Sequence, residues 1–204
     1  MSNVKNFWDE KFSESEYLYG KEPNEYVTQK SVLLKENAEI LCLGEGEGRN
    51  ALFLAQNGHN ISAIDISSEA MKKAQALFSR YNYSIDFQLQ DLLTWQSEES
   101  CYDGAIVTYL HLHKEGFKKV LSNTLKALKK DAYYIGEFFS DKQLALNSGG
   151  PKSLDMLYSL DEMKSYFQDE EVEIIELDEQ IVHLNEGAGH KGEAWVIRVV
   201  ARKL

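Results

Sequence analysis

Cysteine is nearly missing from this chain. The two present sit apart, Cys42 inside an apolar run and Cys101 in a polar turn. Two isolated thiols make no disulfide framework and have no zinc-ligand spacing, which points to a reduced, cytoplasmic protein. Long apolar runs are missing too. No window approaches the roughly 20 apolar residues of a membrane span, and residues 1–12 are charged, without the apolar core of a secretory signal. Positive charge is scarce: 22 Lys and Arg against 33 Asp and Glu leave a net charge of −11. Such a surface repels phosphate backbones. The Lys-Lys pairs at 72–73, 118–119 and 129–130 lie within or at the ends of expected helices and read as solvated faces. Nucleic acid is therefore not expected as a partner. Neither an internal repeat nor a low-complexity linker interrupts the 204 residues, so one domain is expected over 1–204.

What is present is an alternation of strand and helix behind an aromatic arm. Residues 1–35 form the arm, with a short helix over 7–12, a break at Tyr17-Leu18-Tyr19-Gly20, and a second helix from Pro23 in its first turn to about Lys35. Its aromatics either pack onto the domain or form a lid. From residue 39 the periodicities predict strands at 39–43, 60–65, 84–89, 102–108 and 132–139, with helices at 50–57, 70–80 and 117–128. An irregular segment spans 140–158 and a helix 160–167. Strands at 171–178, continuing towards 184, and at 193–202 follow, separated by a turn containing Gly187, Gly189 and Gly192. Strands alternating with helices imply a parallel sheet, and two strands with no helix between them imply an antiparallel pair. The expected fold is α/β: a Rossmann-like, doubly wound, seven-stranded, mostly parallel sheet with an antiparallel last strand, carried by residues 36–204.

The chemistry concentrates at Ile40-Leu41-Cys42-Leu43-Gly44-Glu45-Gly46-Glu47-Gly48-Arg49-Asn50. A buried strand that stops in a glycine loop and re-enters as a helix lets the backbone approach a ligand closely. Gly-Arg-Asn at the loop's end is not the Gly-Lys-Ser/Thr of a P-loop. Against the dinucleotide pattern, the third glycine comes one residue early. Glu45 and Glu47 stand where a pyrophosphate would lie, and like charges in a cleft repel strongly. The loop therefore suits a cationic or zwitterionic ligand. Asp65, ending the second strand about twenty residues on, is placed to accept both hydroxyls of a ribose. It is also placed to cap a helix, although Ser67 and Ser68 can fill that role. Asp91 in Gln90-Asp91-Leu92 is placed to accept an adenine amino group with Leu92 beside the ring, or is an ordinary turn aspartate.

Together these segments resemble the class I S-adenosylmethionine-dependent methyltransferases. The resemblance rests on the glycine motif, Asp65-Ile66, Gln90-Asp91-Leu92 and the strand 102–109, and covers about residues 35–202. Gly48-Arg49-Asn50, the arm's Phe7-Trp8-Asp9, Tyr19-Gly20 and Pro23-Asn24, and the ending from Gly189-His190 are similar to the small-molecule branch with the tellurite-resistance and thiopurine-type enzymes. It implies S-adenosylmethionine as cofactor, held by Gly44, Glu45, Gly46, Gly48, Asn50, Asp65, Ile66, Asp91, Leu92 and Tyr109. Many members carry an acid where this chain has Cys42, so Glu45 or Glu47 is expected to meet the methionine ammonium instead.

The implied reaction is methyl transfer to a small-molecule acceptor, a thiol, a chalcogen oxyanion or similar. Alternatives are a non-catalytic cofactor-binding domain and an NAD-dependent oxidoreductase. The acceptor is expected beyond strand four, at Tyr109-Leu110-His111-Leu112-His113. The Asn/Asp-Pro-Pro-Tyr segment of DNA and protein-amide enzymes is missing there. His111 and His190 are the candidate catalytic residues. No metal is expected, although His111, His113 and Glu115 form a weak candidate set. His190-Lys191 with Arg198 would form a cationic spot for an anionic acceptor. Oligomeric state is not readable.

Overall fold

The computed structural model describes residues 2–204. The arm holds α1 (Ser2–Lys11), α2 (Glu25–Lys30) and a 3-10 turn at Ser31–Leu33. β1 (Glu39–Leu43), α3 (Arg49–Gln56), β2 (Asn60–Asp65), α4 (Ser68–Arg80), β3 (Asp86–Leu89), β4 (Tyr102–Thr108), α5 (Lys114–Ala127) and β5 (Leu128–Phe139) follow. Two 3-10 turns, α6 (Leu160–Phe167), β6 (Val172–Glu186) and β7 (His190–Lys203) complete the chain. Among the described residues no helix is long and apolar enough to cross a membrane.

One seven-stranded sheet has the order β3-β2-β1-β4-β5-β7-β6. β1 pairs in parallel with β2 and β4, and β4 with β5, whereas β7 runs antiparallel to both β5 and β6. This is the Rossmann-like, doubly wound sheet with its antiparallel last strand. After β3 the chain crosses back to lay β4 on the other side of β1. That reversal leaves a crevice beyond the carboxyl ends of β1 and β4, the usual ligand position in open α/β sheets.

The sheet is covered on both faces, so its central strands are apolar throughout rather than alternating. Ile40 and Cys42 of β1 enter one core with Tyr26, Leu54 and Phe78, from α2, α3 and α4. Leu41 and Leu43 enter the other with Phe117, Leu121, Met163 and Phe167, from α5 and α6. Cys42 is fully buried core, with no ionised or metal-binding role. Burial, then the nearby Glu45 carboxylate, push its thiol well above the ordinary value.

Several boundaries differ from the sequence reading. α1 begins well before the aromatic cluster, at Ser2. Asn24 caps α2 by accepting from the Val27 N–H, so Pro23 lies outside the helix instead of in its first turn. α5 opens at Lys114, and β5 follows it without a loop. Lys129-Lys130-Asp131 belong to that strand: Asp131 has φ 64° and the register with β4 shifts there, so a bulge absorbs the charged residues. Gly192 lies in β7, not in the turn.

Gly48 is the residue where α3 depends on glycine. It holds the N-cap position with φ 91°, and an added Cβ would stand 2.9 Å from the Ala74 Cβ of α4. Gly48→Ala is expected to cost about 1–3 kcal/mol from backbone strain and overpacking. Urea unfolding should show a lower midpoint at unchanged slope; an unshifted midpoint would mean that α4 yields to the methyl freely.

Candidate active site

A cavity of about 340 Å³ opens in the crevice. Its walls are the loop after β1 (Gly44, Glu45, Gly46), Arg49 and Asn50 of α3, Asp65 and Ile66, Asp91 and Leu92, the segment 108–113, and His190. Val4, Trp8, Phe12 and Tyr19 of the arm close it, so the arm's aromatics lie over the crevice. The Asp9 carboxylate docks α1 on the first turn of α4, accepting from the Ser67 hydroxyl at 2.7 Å and the Glu69 N–H at 3.2 Å. A carboxylate there satisfies orphan amides and suits the positive end of the helix dipole.

Asp65 is oriented by backbone amides. The Gly46 N–H and the Ser67 N–H each donate to one of its carboxylate oxygens at 2.8 Å. Ser67 caps α4 through its hydroxyl, so Asp65 is not spent on that cap. A carboxylate has about four acceptor positions, so capacity for a pair of hydroxyls remains. Burial raises the Asp65 carboxyl, and Asp9 adds to the shift. Asp91 accepts from the Leu93 N–H at 2.9 Å, which sets the turn, and the buried Leu92 packs beside it.

The two loop carboxylates part company. Glu45 accepts the Ala51 N–H at 2.9 Å at the start of α3 and lines the cavity. Burial lifts its carboxyl to about 7, against the pull of the helix amides and Arg49. Glu47 turns away: it pairs with Lys73 at 2.7 Å, accepts the Tyr19 N–H at 3.4 Å and does not line the cavity. Gly48 is also absent from the wall, because it packs on α4, which corrects its expected place at the cofactor. Asn50 ties three elements together, accepting the Asn24 N–H at 2.8 Å and donating to Thr108 Oγ1 at 3.0 Å.

Both expected histidines line the cavity, and both have a buried Nε2 without a partner. His190 is 2% exposed, with its ring centroid 4.3 Å from Tyr19 and 4.5 Å from Tyr109, and its Nδ1 lies 2.8 Å from Glu186 Oε2. Burial lowers its pKa although Glu186 opposes the shift. The ring is therefore neutral, Nδ1–H donates to Glu186, and Nε2 keeps a bare lone pair. His111 sits 5.5 Å from the Trp8 ring, and burial pulls its pKa down to about 3. Tyr109 takes a positive φ of 51°, a strained conformation for an aromatic residue, at the point where β4 leaves the sheet. Its ring stacks on Phe139 and its hydroxyl donates to Glu137.

Beneath the histidines lies a buried network that the sequence reading missed. Glu137 accepts from Tyr109, from Asn24 at 2.7 Å and from Arg198 at 2.6 Å. Glu186 accepts from Arg49 at 2.9 Å and Asn24 at 3.1 Å and faces His190. One signal was there: Glu137 is the only charge in Tyr133-Tyr134-Ile135-Gly136-Glu137-Phe138-Phe139, and such a residue needs a partner when buried. The network also corrects the cationic spot. Arg198 is bound to Glu137, Lys191 is exposed on the opposite face of β7, and His190 is neutral. His113 is exposed beside Asp155, at 3.2 Å. Among the described residues no three His, Cys, Asp or Glu side chains gather as a metal site.

Comparison with known proteins agrees with this geometry. Residues 40–131 match the model of a methyltransferase domain. No curated protein sequence matches the chain significantly. Among solved structures, N-methyltransferase NodS from Bradyrhizobium japonicum WM9, in complex with S-adenosyl-L-homocysteine, is similar over 98% of both chains, at 14% identity and TM-score 0.73. TehB from Haemophilus influenzae is similar over 98% of this chain and 67% of its own, at 18% identity and TM-score 0.71. A structure concerned with conversion of a disulfide bond into a thioacetal group during echinomycin biosynthesis is similar over 98% of this chain and 92% of its own, at 17% identity and TM-score 0.80. Residues 40–131 thus match a methyltransferase domain, and the chain has the fold of the class I S-adenosylmethionine-dependent methyltransferases.

Proposed function

We propose that this S-adenosylmethionine-dependent methyltransferase acts on a protic small molecule, a thiol foremost, in one cytoplasmic domain whose residues 1–35 form a lid on residues 36–204. The observation that carries this is the pair of neutral histidines with unpartnered Nε2 atoms in the cavity. An oxyanion is less well served, because Arg49 and Arg198 are both committed to carboxylates. Free Cys42 and Cys101 suit a reducing compartment, and the acidic surface disfavours nucleic acid.

The residues present fit the cofactor. Asp65 has acceptor capacity for a ribose, Asp91 with Leu92 and Ile66 for an adenine, and Gly44 and Gly46 keep the loop close. Asn50 and Tyr109 shape the far end. Glu45 supplies the negative charge that Cys42 does not, and meets the ammonium. When bound, S-adenosylmethionine supplies an electrophilic methyl group on a sulfonium. The protein contributes alignment, exclusion of water by the arm, and a place for the acceptor's proton. His190, backed by Glu186, receives that proton at Nε2, while His111 accepts a hydrogen bond and orients the nucleophile. A weakly basic imidazole suffices, because the acceptor's proton becomes strongly acidic as the new bond forms.

Two outcomes test this. Glu45 is raised above its ordinary 4.5 to about 7, so the ligand-free fold holds a proton that the unfolded chain has lost between those values. Its contribution to stability falls as pH rises through that window, whereas ammonium binding needs the ionised form. Calorimetry should find S-adenosylhomocysteine bound about tenfold more weakly at pH 6 than at pH 8, with the dependence gone in Glu45→Gln. An equal pH dependence in the variant would remove Glu45 from the cofactor site. His190→Gln should lower kcat about 10²–10⁴-fold while leaving S-adenosylhomocysteine affinity within about twofold. If the wild-type protein binds S-adenosylhomocysteine yet turns over no thiol, amine, selenite or tellurite, the chain is a binding domain and not a catalyst.

A further inference from the structure

A second cavity, of about 520 Å³, adjoins the first. The two share Val4, Trp8, Tyr19, His111 and Met156 as a common boundary. The carboxylates of Glu45, Asp65 and Asp91 all belong to the first cavity, and none lines the second. Beyond the boundary the walls are mostly apolar, with Phe7, Leu18, Pro151 and glycine backbone at 149, 150 and 189, joined by the polar Asn3 and by Lys11. The Gly149–Gly150 strip lies close against His190 and Phe139: a Cβ on Gly149 would stand 2.6 Å from His190 Cδ2, and one on Gly150 2.9 Å from Phe139 Cδ2. The strip therefore presents backbone alone to the cavity. Among the described residues the one charge on the wall is Lys11, exposed, with its ammonium 5.6 Å from the centre of the Phe7 ring.

We infer that this second cavity is the acceptor's chamber and that it takes an uncharged molecule bearing an aromatic ring and one O–H, N–H or S–H donor. The assignment rests on the methyltransferase reading above, which makes the first cavity the cofactor's. The walls decide the charge. A cationic acceptor meets no carboxylate, and an anionic one meets a single exposed ammonium screened by solvent. An apolar ring meets Phe7, Trp8, Tyr19, Met156 and the glycine strip, a combination of aromatic and thioether contacts that favours a planar ring. The donor is required by His111. Its Nε2 is a buried ring nitrogen without a partner, an acceptor when the proton sits on Nδ1, and is placed on the boundary between the cavities. Such an atom is costly to leave unsatisfied, and a donor on the occupant satisfies it while holding the nucleophilic atom at the mouth of the first cavity.

The protein saturated with S-adenosylhomocysteine is titrated by calorimetry with four thiols: benzyl mercaptan, 2-mercaptoethanol, cysteamine and 2-mercaptoethanesulfonate. Benzyl mercaptan is expected to bind at least tenfold more tightly than the other three. Phe7 is 52% exposed, so Phe7→Glu leaves the fold intact while placing a carboxylate on the chamber wall. That variant is expected to weaken benzyl mercaptan at least tenfold and to shift S-adenosylhomocysteine affinity by less than twofold. Equal or tighter binding of a charged or ringless thiol overturns the inference, as does an unchanged benzyl mercaptan affinity in Phe7→Glu. Failure of the underlying reading shows separately, as absence of S-adenosylhomocysteine binding; titration of the ligand-free protein with benzyl mercaptan and the Phe7→Glu variant then still decides the chamber.

Discussion

The site depends on one buried and one half-buried carboxylate that balance each other through their partners. Glu137 on β5 is held by Arg198, Asn24 and Tyr109; Glu186 at the end of β6 is held by Arg49, Asn24 and His190. Two carboxylates and two guanidiniums leave no net charge, and Asn24 bridges the halves. Removing one member of such an ion pair costs about 3–5 kcal/mol, because the other is left charged without water. The network draws together the start of α2, the start of α3, the end of β4 and the β6–β7 hairpin. Those are the segments whose positions decide where the glycine loop, Tyr109 and His190 stand.

This arrangement also explains how histidines stay neutral in a protein of net charge −11. Acidic surroundings ordinarily favour imidazolium. Here the nearest carboxylates already have cations, and desolvation lowers both imidazoles. Glu186 acts on His190 chiefly by fixing which nitrogen carries the proton. The other nitrogen is left as a lone pair facing an aromatic cavity. Strain at Tyr109 is part of the same construction: a tyrosine with φ 51° is held there by Glu137 and by stacking on Phe139.

Much of the fold was legible because its signals are local. Apolar strand runs and Ser67 at a helix start each depend on neighbours a few residues away. The Asp65 position was legible for the same reason, as was the glycine loop. What was not legible depends on partners far along the chain. Arg198 read as a free cation because Glu137 lies 61 residues away, and Glu47 read as part of a ligand site because Lys73 lies 26 residues away. The start of β5 was hidden because Lys129-Lys130-Asp131 have loop composition, and only the bulge opposite Tyr102 makes them strand. Cys42 looked anomalous beside an acidic loop and is simply core.

The hairpin tip also fixes the arm. The Gly189 N–H donates to Leu18 O at 2.9 Å, and Gly187 packs so closely on Leu18 and Gly20 that neither position leaves room for a side chain. The arm is thus pinned at 18–20 by the far edge of the sheet and at Asp9 by α4, with 13–16 exposed between the two pins. Trp8 borders both cavities from the segment beyond the first pin. One helix, α1, therefore roofs both cavities through Val4 and Trp8, and its docking on α4 through Asp9 fixes their common wall.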